Sequence, residues 1–367
     1  MGQKTDVFVV GGGPAGLAAA IAARKCGFDV VVADGAEPPI DKACGEGLMP
    51  DTLSVLHTLG ISVNPAEGFA FRGVHFIGEG VQVDASFPIG QGIGLRRPVL
   101  HQRMIEQAEK LGVTLLWRTC VTGLSSQGAI VGGKTIAARW IVGADGIRSR
   151  VRRWCGLEAP TMARPRFAFR RHYRVEPWTD CVEVYWGRGA QAYVTPVGRE
   201  DVCVVLISRD PAVRSTSVAA DFPELAGHLA SAEASPDAGA VTLTCEFERV
   251  YRDRVALIGD ASGSVDAITG EGLCLSFHQA TALADALASG DLRRYQAAHR
   301  RLARRPTRMG RLLLLLDSQA KIRDRALRAL ATHPDLFARL LSVHVGASSP
   351  AHIAATGALL GWRFVAA

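Results

Sequence analysis

Residues 5–35, TDVFVVGGGPAGLAAAIAARKCGFDVVVADG, constrain this chain more than any other stretch, because they hold every part of a dinucleotide-binding βαβ unit in order. The apolar run from Val7 to Val10 reads as a buried parallel strand, and Val30 to Ala33 as a second one closing on Asp34. Between them, Gly11 permits the tight turn, Gly13 lets the backbone approach a pyrophosphate, and Gly16 lets helix and strand pack closely. Pro14 and Ala15 open an alanine-rich helix whose first N–H groups have no intrahelical acceptor and so face the phosphates. Asp34 lies eighteen residues beyond Gly16, where a carboxylate can accept hydrogen bonds from an adenosine ribose.

A chain of 367 residues allows about two domains. After the βαβ unit comes a loop punctuated by Pro and Gly (AEPPIDKACGEGLMP), and a helix is predicted near 51–59. Period-two segments such as RFAFRRHYRV, CVEVYWG and VCVVLIS dominate 164 to about 250, before a buried strand, VALIG, returns. Strand-rich blocks set between pieces of a nucleotide domain imply a discontinuous arrangement. Residues 1–70, 96–160 and 250–298 are assigned to a nucleotide-binding domain, 71–95 and 161–249 to a β-rich substrate domain, and 299–367 to a helical C-terminal region.

The net charge of +7 is uneven: between Arg300 and Arg328 nine Arg and one Lys face two Asp, so the rest of the chain is near neutral. That patch has no interleaved aromatics, which argues against nucleic acid. The longest leucine run, Leu312 to Leu316, is far too short to cross a bilayer, and no secretory signal precedes the first strand, so a cytoplasmic protein is expected. In 300–328 leucines recur at helical spacing beside the basic residues, with breaks expected at Pro306, Gly310 and Pro334; this segment is a candidate for peripheral membrane contact. The eight cysteines show no CxxC pair, so no metal site is read, and most are expected to be buried thiols.

Two further segments carry a family resemblance. WIVGADGIRSRVRR (140–153) has a buried strand ending at Asp145-Gly146, and RVALIGDASGSVDAITGEGLCLSFHQA (254–280) has another ending at Gly259-Asp260, with Gly270-Glu271-Gly272 opening a helix. With the N-terminal unit, these resemble the FAD fold of the para-hydroxybenzoate hydroxylase and geranylgeranyl reductase superfamily. The resemblance implies an α/β protein: a FAD-binding Rossmann-like domain of the glutathione reductase type, an inserted antiparallel-sheet substrate domain, and a C-terminal helical segment. It implies that Gly11, Gly13, Pro14, Ala15, Gly16 and Asp34 hold the ADP half of FAD. Arg97 would reach the pyrophosphate region, Asp145 and Gly146 would support the flavin, and Gly259 and Asp260 would bind the ribityl chain. Gly270, Glu271, Gly272 and Leu273 would lie beside the pyrimidine ring, where a helix N-terminus stabilises an anionic reduced flavin.

On the substrate side, KACGEGLMP (42–50) resembles the CG-containing loop of geranylgeranyl reductases, making Cys44 and Glu46 candidates for catalysis. Alternation on RFAFRRHYRV places Arg170, His172 and Arg174 on one face and Phe169, Arg171 and Tyr173 on the other, and His172 is a candidate acid or base. Gly263 resembles the reductases, and Tyr193 and Pro196 survive from their aromatic stretch. The leading expectation is a monooxygenase using FAD, O2 and NADH or NADPH on a hydrophobic aromatic or polyketide-like molecule. Phe167, Phe169, Tyr185, Trp186 and Tyr193 are available to line its pocket. The alternatives are a flavin-dependent reductase of isoprenoid double bonds and an accessory flavoprotein that modifies a protein partner.

Overall fold

The computed structural model describes residues 4–157, 164–214 and 218–348. Residues 349–367 of the expected C-terminal region lie outside them, as do 158–163 at the second domain boundary.

The first sheet has the strand order Tyr251–Arg252, Val255–Leu257, Lys134–Gly143, Lys4–Val10, Val30–Ala33, Thr114–Leu116, with a hairpin of Val121–Leu124 and Gly128–Val131 feeding Lys134–Gly143. Lys4–Val10 pairs in parallel with both neighbours, Val7 opposite Val30 on one side and Trp140 on the other. Both faces are therefore covered. Val7 and Val9 point into a core shared with the helices Pro14–Lys25, Arg97–Lys110 and Gly272–Ser289, through Leu17, Ile21, Met104 and Phe277. Phe8 and Val10 point into a second core with Ile141, Val151 and Leu257. This double burial explains why the strand reads as an unbroken apolar run.

The substrate sheet has the order Glu233–Ala234, Arg166–Arg174, Asp201–Ser208, Ala190–Gly198, Cys181–Trp186, Gly73–Gly78, Val81–Ser86, and Ala238–Thr242 also pairs with Arg166–Arg174. It departs from the antiparallel expectation at one seam, where Cys181–Trp186 runs parallel to Gly73–Gly78. These strands are joined through the nucleotide domain rather than by a hairpin, so no tight turn forces them antiparallel. The expected boundary at 70/71 cuts a small sheet instead: Phe69–Phe71 and Gly47–Leu48 both pair with Gly92–Gly94. That sheet ties the CGEG loop to the substrate domain.

Three helices, Leu292–Ser318, Ala320–Thr332 and Pro334–His344, cover one face of the substrate sheet. Leu316, Leu327, Leu330 and Phe337 bury there, and the Phe337 ring lies 4.7 Å from Phe76, which also meets Trp186 edge-on at 5.6 Å. The first helix runs through Pro306 and Gly310 and stops at Gln319, and the next break falls at His333. Proline in a helix loses one backbone hydrogen bond, but Pro306 is buried against the protein, where tertiary packing offsets the loss. Gly310 continues the helix because it packs where a Cβ would come within 3.2 Å of Val265. Among the described residues no helix is long and apolar enough to cross a membrane.

Candidate active site

One cavity of about 710 Å³ runs from the glycine loop to a chamber beneath the C-terminal helices. At its polar end the Asp34 carboxylate accepts from the Gly12 N–H at 2.6 Å and the Ala36 N–H at 2.7 Å, which fixes the loop against the second strand. Gly11 has φ +111°, and a Cβ on Gly16 would collide with the Gly11 carbonyl, so both glycines are enforced by the protein itself. Gly13 differs: a Cβ there would meet nothing within 4 Å, because the loop faces the open cavity.

His101 was not singled out from the sequence, yet it locks this loop. Its Nδ1 accepts from the Ile40 N–H at 3.1 Å, so Nε2 carries the proton and donates to the Gly12 carbonyl at 2.8 Å. Complete burial pushes its pKa down, consistent with a neutral ring. Its role depends on a three-way meeting that no local motif signals.

Asp145 and Asp260 line the cavity with their carboxylates engaged. Asp145 accepts from Ser149 Oγ and from the Arg150 and Val151 N–H groups, capping the helix Arg150–Trp154 and leaving Gly146, at φ +78°, open to the cavity. Asp260 pairs with Lys42 at 3.3 Å, and Gly259 donates its N–H to Gln279 Oε1 at 2.9 Å. Arg97 lines the cavity with its Nε buried and unpartnered among the described residues.

Cys44, Gly45, Glu46 and Gly47 line the middle of the cavity. Glu46 holds a left-handed backbone at φ +58° while its side chain is fully buried. That conformation costs about 1 kcal/mol for a residue with a Cβ. The carboxylate has several partners: His172 Nε2 at 2.7 Å, the Arg97 N–H at 3.0 Å and Arg170 Nη1 at 3.3 Å. Arg170 is held from its other side by Asp41 at 2.8 Å, and that guanidinium lowers the Asp41 pKa. The structure thus brings Glu46 and His172 together, with His172 behind Glu46 rather than on the cavity wall. Cys203 completes a group of three ligand-type atoms within 4.8 Å of one another. With Arg170 on the same carboxylate, the group is an ion-pair network rather than a cation site. Four cysteines are buried, two are half-buried, and Cys26 and Cys120 are exposed, so thiol burial is less general than expected.

The chamber is walled by Phe71, Val74, Phe76, Val184, Trp186, Leu316 and Phe337. Of the aromatics expected to line it, Trp186 and Tyr193 do so. Tyr185 points to the opposite face, against Phe222, and Phe169 lies under the Arg214 guanidinium, because alternation sends neighbouring residues to opposite sides of the sheet. Gly270, Gly272 and Leu273 border the cavity, but the Glu271 side chain turns away from its wall. It pairs with Arg305 Nη2 at 3.0 Å and faces His344 Nδ1 at 3.5 Å. Burial raises its pKa, against the opposing pull of His344 and Arg305.

The open cradle at Gly13 and Gly146, the unpartnered Arg97 Nε and two uncapped helix N-termini suit an anionic dinucleotide. They define a dinucleotide-binding α/β protein. The chain belongs to the FAD binding domain family, which matches residues 4–302. It is 30% identical over 327 residues to a menaquinone reductase of Mycobacterium tuberculosis, covering 80% of this chain and 78% of that one. It is 28% identical over 298 residues to a digeranylgeranylglycerophospholipid reductase of Methanopyrus kandleri, covering 74% and 77%. A flavoprotein/dehydrogenase from Cytophaga hutchinsonii superposes with a TM-score of 0.80 at 19% identity, covering 94% and 93%. The superfamily resemblance read from the three glycine-bearing segments is therefore shown.

Proposed function

We propose that this protein reduces carbon–carbon double bonds of a hydrophobic isoprenoid-like molecule, using bound FAD recharged by NADH or NADPH. The observation that carries this reading is the continuity of the cavity, which joins the dinucleotide loop to an aliphatic and aromatic chamber under three helices. Such a chamber suits a flexible apolar chain, which gains roughly 25 cal/mol for each Å² removed from water. The two curated relatives, both named as reductases, support reduction over oxygenation. FAD supplies the hydride chemistry, while Gly13, Arg97 and the Gly272 helix N-terminus hold and polarise it.

The second reading, a monooxygenase acting on an aromatic or polyketide-like molecule, draws support from Trp186, Tyr193 and Phe76 on the chamber wall. Modification of a protein partner fits less well, since a helix-covered chamber suits a small molecule. Turnover of a polyprenyl substrate with NADH or NADPH under strict anaerobiosis separates these readings. Saturation of a double bond without O2 supports reduction; an O2-dependent product carrying a new oxygen atom would transfer the assignment to hydroxylation.

A cytoplasmic protein drawing its substrate from a membrane surface fits the same cavity. Leu312, 41% exposed, lies on the cavity rim, and Leu315, 45% exposed, lies nearby on the same helix beside the exposed Arg301, Arg304 and Arg308. An apolar edge flanked by arginines matches an anionic lipid surface.

A further inference from the structure

Among the described residues lining the apolar chamber, two carry titratable side chains, Tyr193 and His344. The Tyr193 hydroxyl is already committed, donating to the Ile268 carbonyl at 3.0 Å. His344 is not committed in this way. It closes the helix Pro334–His344, and its Nδ1 faces Glu271 Oε2 at 3.5 Å, with neither atom completing a hydrogen bond. No described residue partners its Nε2, and the side chain borders the cavity.

Glu271 has one neighbour of each kind that matters here. It immediately precedes the Gly272 helix, whose first residues border the cavity, and its carboxylate is buried with 1% exposure. Arg305, from the helix Leu292–Ser318, bridges Glu271 at 3.0 Å and Asp51 at 3.2 Å. The group facing the imidazole is thus the Glu271 carboxylate, which Arg305 ties in turn to Asp51. A carboxylate beside one ring nitrogen orients the ring and leaves the other nitrogen for a ligand.

We propose that His344, oriented by Glu271, is the substrate-anchoring residue of the chamber and selects an apolar chain that carries an uncharged oxygen, carbonyl or hydroxyl, near its reacting double bond. This rests on the double-bond-reducing reading and narrows its substrate class. An uncharged oxygen fits because one imidazole nitrogen offers a single hydrogen bond at the junction between the cofactor end and the apolar walls. A phosphate or diphosphate head does not fit, because the Glu271 carboxylate stands beside the imidazole and Arg305 is spent on Glu271 and Asp51. A purely hydrocarbon chain would cover the half-buried imidazole without partnering it, which costs binding.

Calorimetric binding to the FAD-loaded protein, without reductant, tests this with three probes of equal chain length: a prenylated naphthoquinone, the corresponding prenyl diphosphate and the hydrocarbon. The expected result is at least tenfold tighter binding of the quinone than of either other probe. In His344→Phe, which keeps the packing volume, this preference falls below about threefold, and in Glu271→Gln it falls at least threefold from wild type. FAD content reports that each variant is folded, and Glu271→Gln carries the test if His344→Phe is not. Tighter binding of the diphosphate, or a preference that survives both substitutions, overturns the proposal. Equal binding of quinone and hydrocarbon overturns the anchoring role and leaves the reductase reading standing. A quinone preference that depends on His344, in a protein that saturates no double bond, refutes the reductase reading alone. Failure to bind any of the three overturns both.

Discussion

His172 Nε2 lies 2.7 Å from the Glu46 carboxylate, joining a substrate-sheet strand to a loop of the nucleotide domain 126 residues away in sequence. The same carboxylate receives the first N–H of the Arg97 helix and the Arg170 guanidinium, so it fastens three elements at one buried point. Removing one member leaves the others desolvated and unpaired, which typically costs about 3–5 kcal/mol. Glu46→Ala should therefore lower unfolding stability by about 3 kcal/mol or more in urea titrations. His172→Ala should cost less, because the Glu46 carboxylate keeps the Arg170 guanidinium and the Arg97 N–H as partners. The double variant should be less destabilised than the sum of the two, since the partners share one network. Additive losses, each under about 1 kcal/mol, would show that the contact is incidental.

The two glycines of the phosphate loop should fail in opposite ways. At Gly13 a Cβ meets only open cavity, whereas at Gly16 it collides with the Gly11 carbonyl. Gly13→Val should fold normally and lose FAD, seen as a near-zero ratio of 450 nm to 280 nm absorbance with a melting temperature close to that of wild-type apoprotein. Gly16→Val should lower the melting temperature itself. A yellow Gly13→Val protein would remove the pyrophosphate from this loop.

Cys44 lines the cavity, and its sulfur accepts from the Glu46 N–H at 3.4 Å. If the thiol faces the reacting atoms, Cys44→Ser should retain FAD and reduce turnover at least tenfold, or about 1.4 kcal/mol of transition-state stabilisation. Unchanged turnover would leave it as a packed thiol that only supports the loop.

Local patterns made half of this architecture readable. Strand, glycines, helix and acid at 5–35 are contiguous, so the sequence displays the unit whole, and alternation on Arg166–Arg174 correctly set His172 apart from Tyr173. What stayed hidden depends on meetings between distant segments. His101 acts through Ile40 and Gly12, His344 through Glu271, and neither stands in a recognisable motif. The resemblance implies Glu271 beside the flavin pyrimidine ring, and its side chain pairs with Arg305 without bordering the cavity. Proline and glycine at 306 and 310 looked like helix breaks because burial against the nucleotide domain, which overrides their propensity, is a tertiary property.

His299 gives the fold a defined acid sensitivity. It is buried with Nε2 on Ser262 Oγ at 2.9 Å, and burial pushes its pKa from the usual 6.5 down to about 4. Below pH 6.5 the unfolded chain takes up a proton that the folded protein refuses, so stability falls as the pH drops through 6.5 toward 4. The whole effect is on the order of 3 kcal/mol. His299→Gln keeps a hydrogen-bonding group but cannot titrate. Its urea midpoint should change less than that of wild type between pH 7 and pH 4, and identical curves would assign the acid sensitivity to other groups.

The helix Leu292–Ser318 offers the membrane-facing test, and the structure decides which arginines to use. Arg305 is turned inward to Asp51 and Glu271, so its replacement would damage the lid rather than probe a surface. Arg301, Arg304 and Arg308 are exposed on the helix that carries Leu312 at the cavity rim. Each basic residue near an anionic surface contributes about 1 kcal/mol, so three together give a large, salt-sensitive term. Wild-type protein should sediment with vesicles containing anionic lipid at low ionic strength, and raised salt should release it. The Arg301→Glu/Arg304→Glu/Arg308→Glu variant should stay in the supernatant while retaining FAD and its melting temperature. Leu312→Ser/Leu315→Ser should weaken binding without altering its salt dependence, because those side chains contribute buried apolar area rather than charge. Wild-type protein that remains in the supernatant at low salt would make the three helices a lid over the chamber and nothing more.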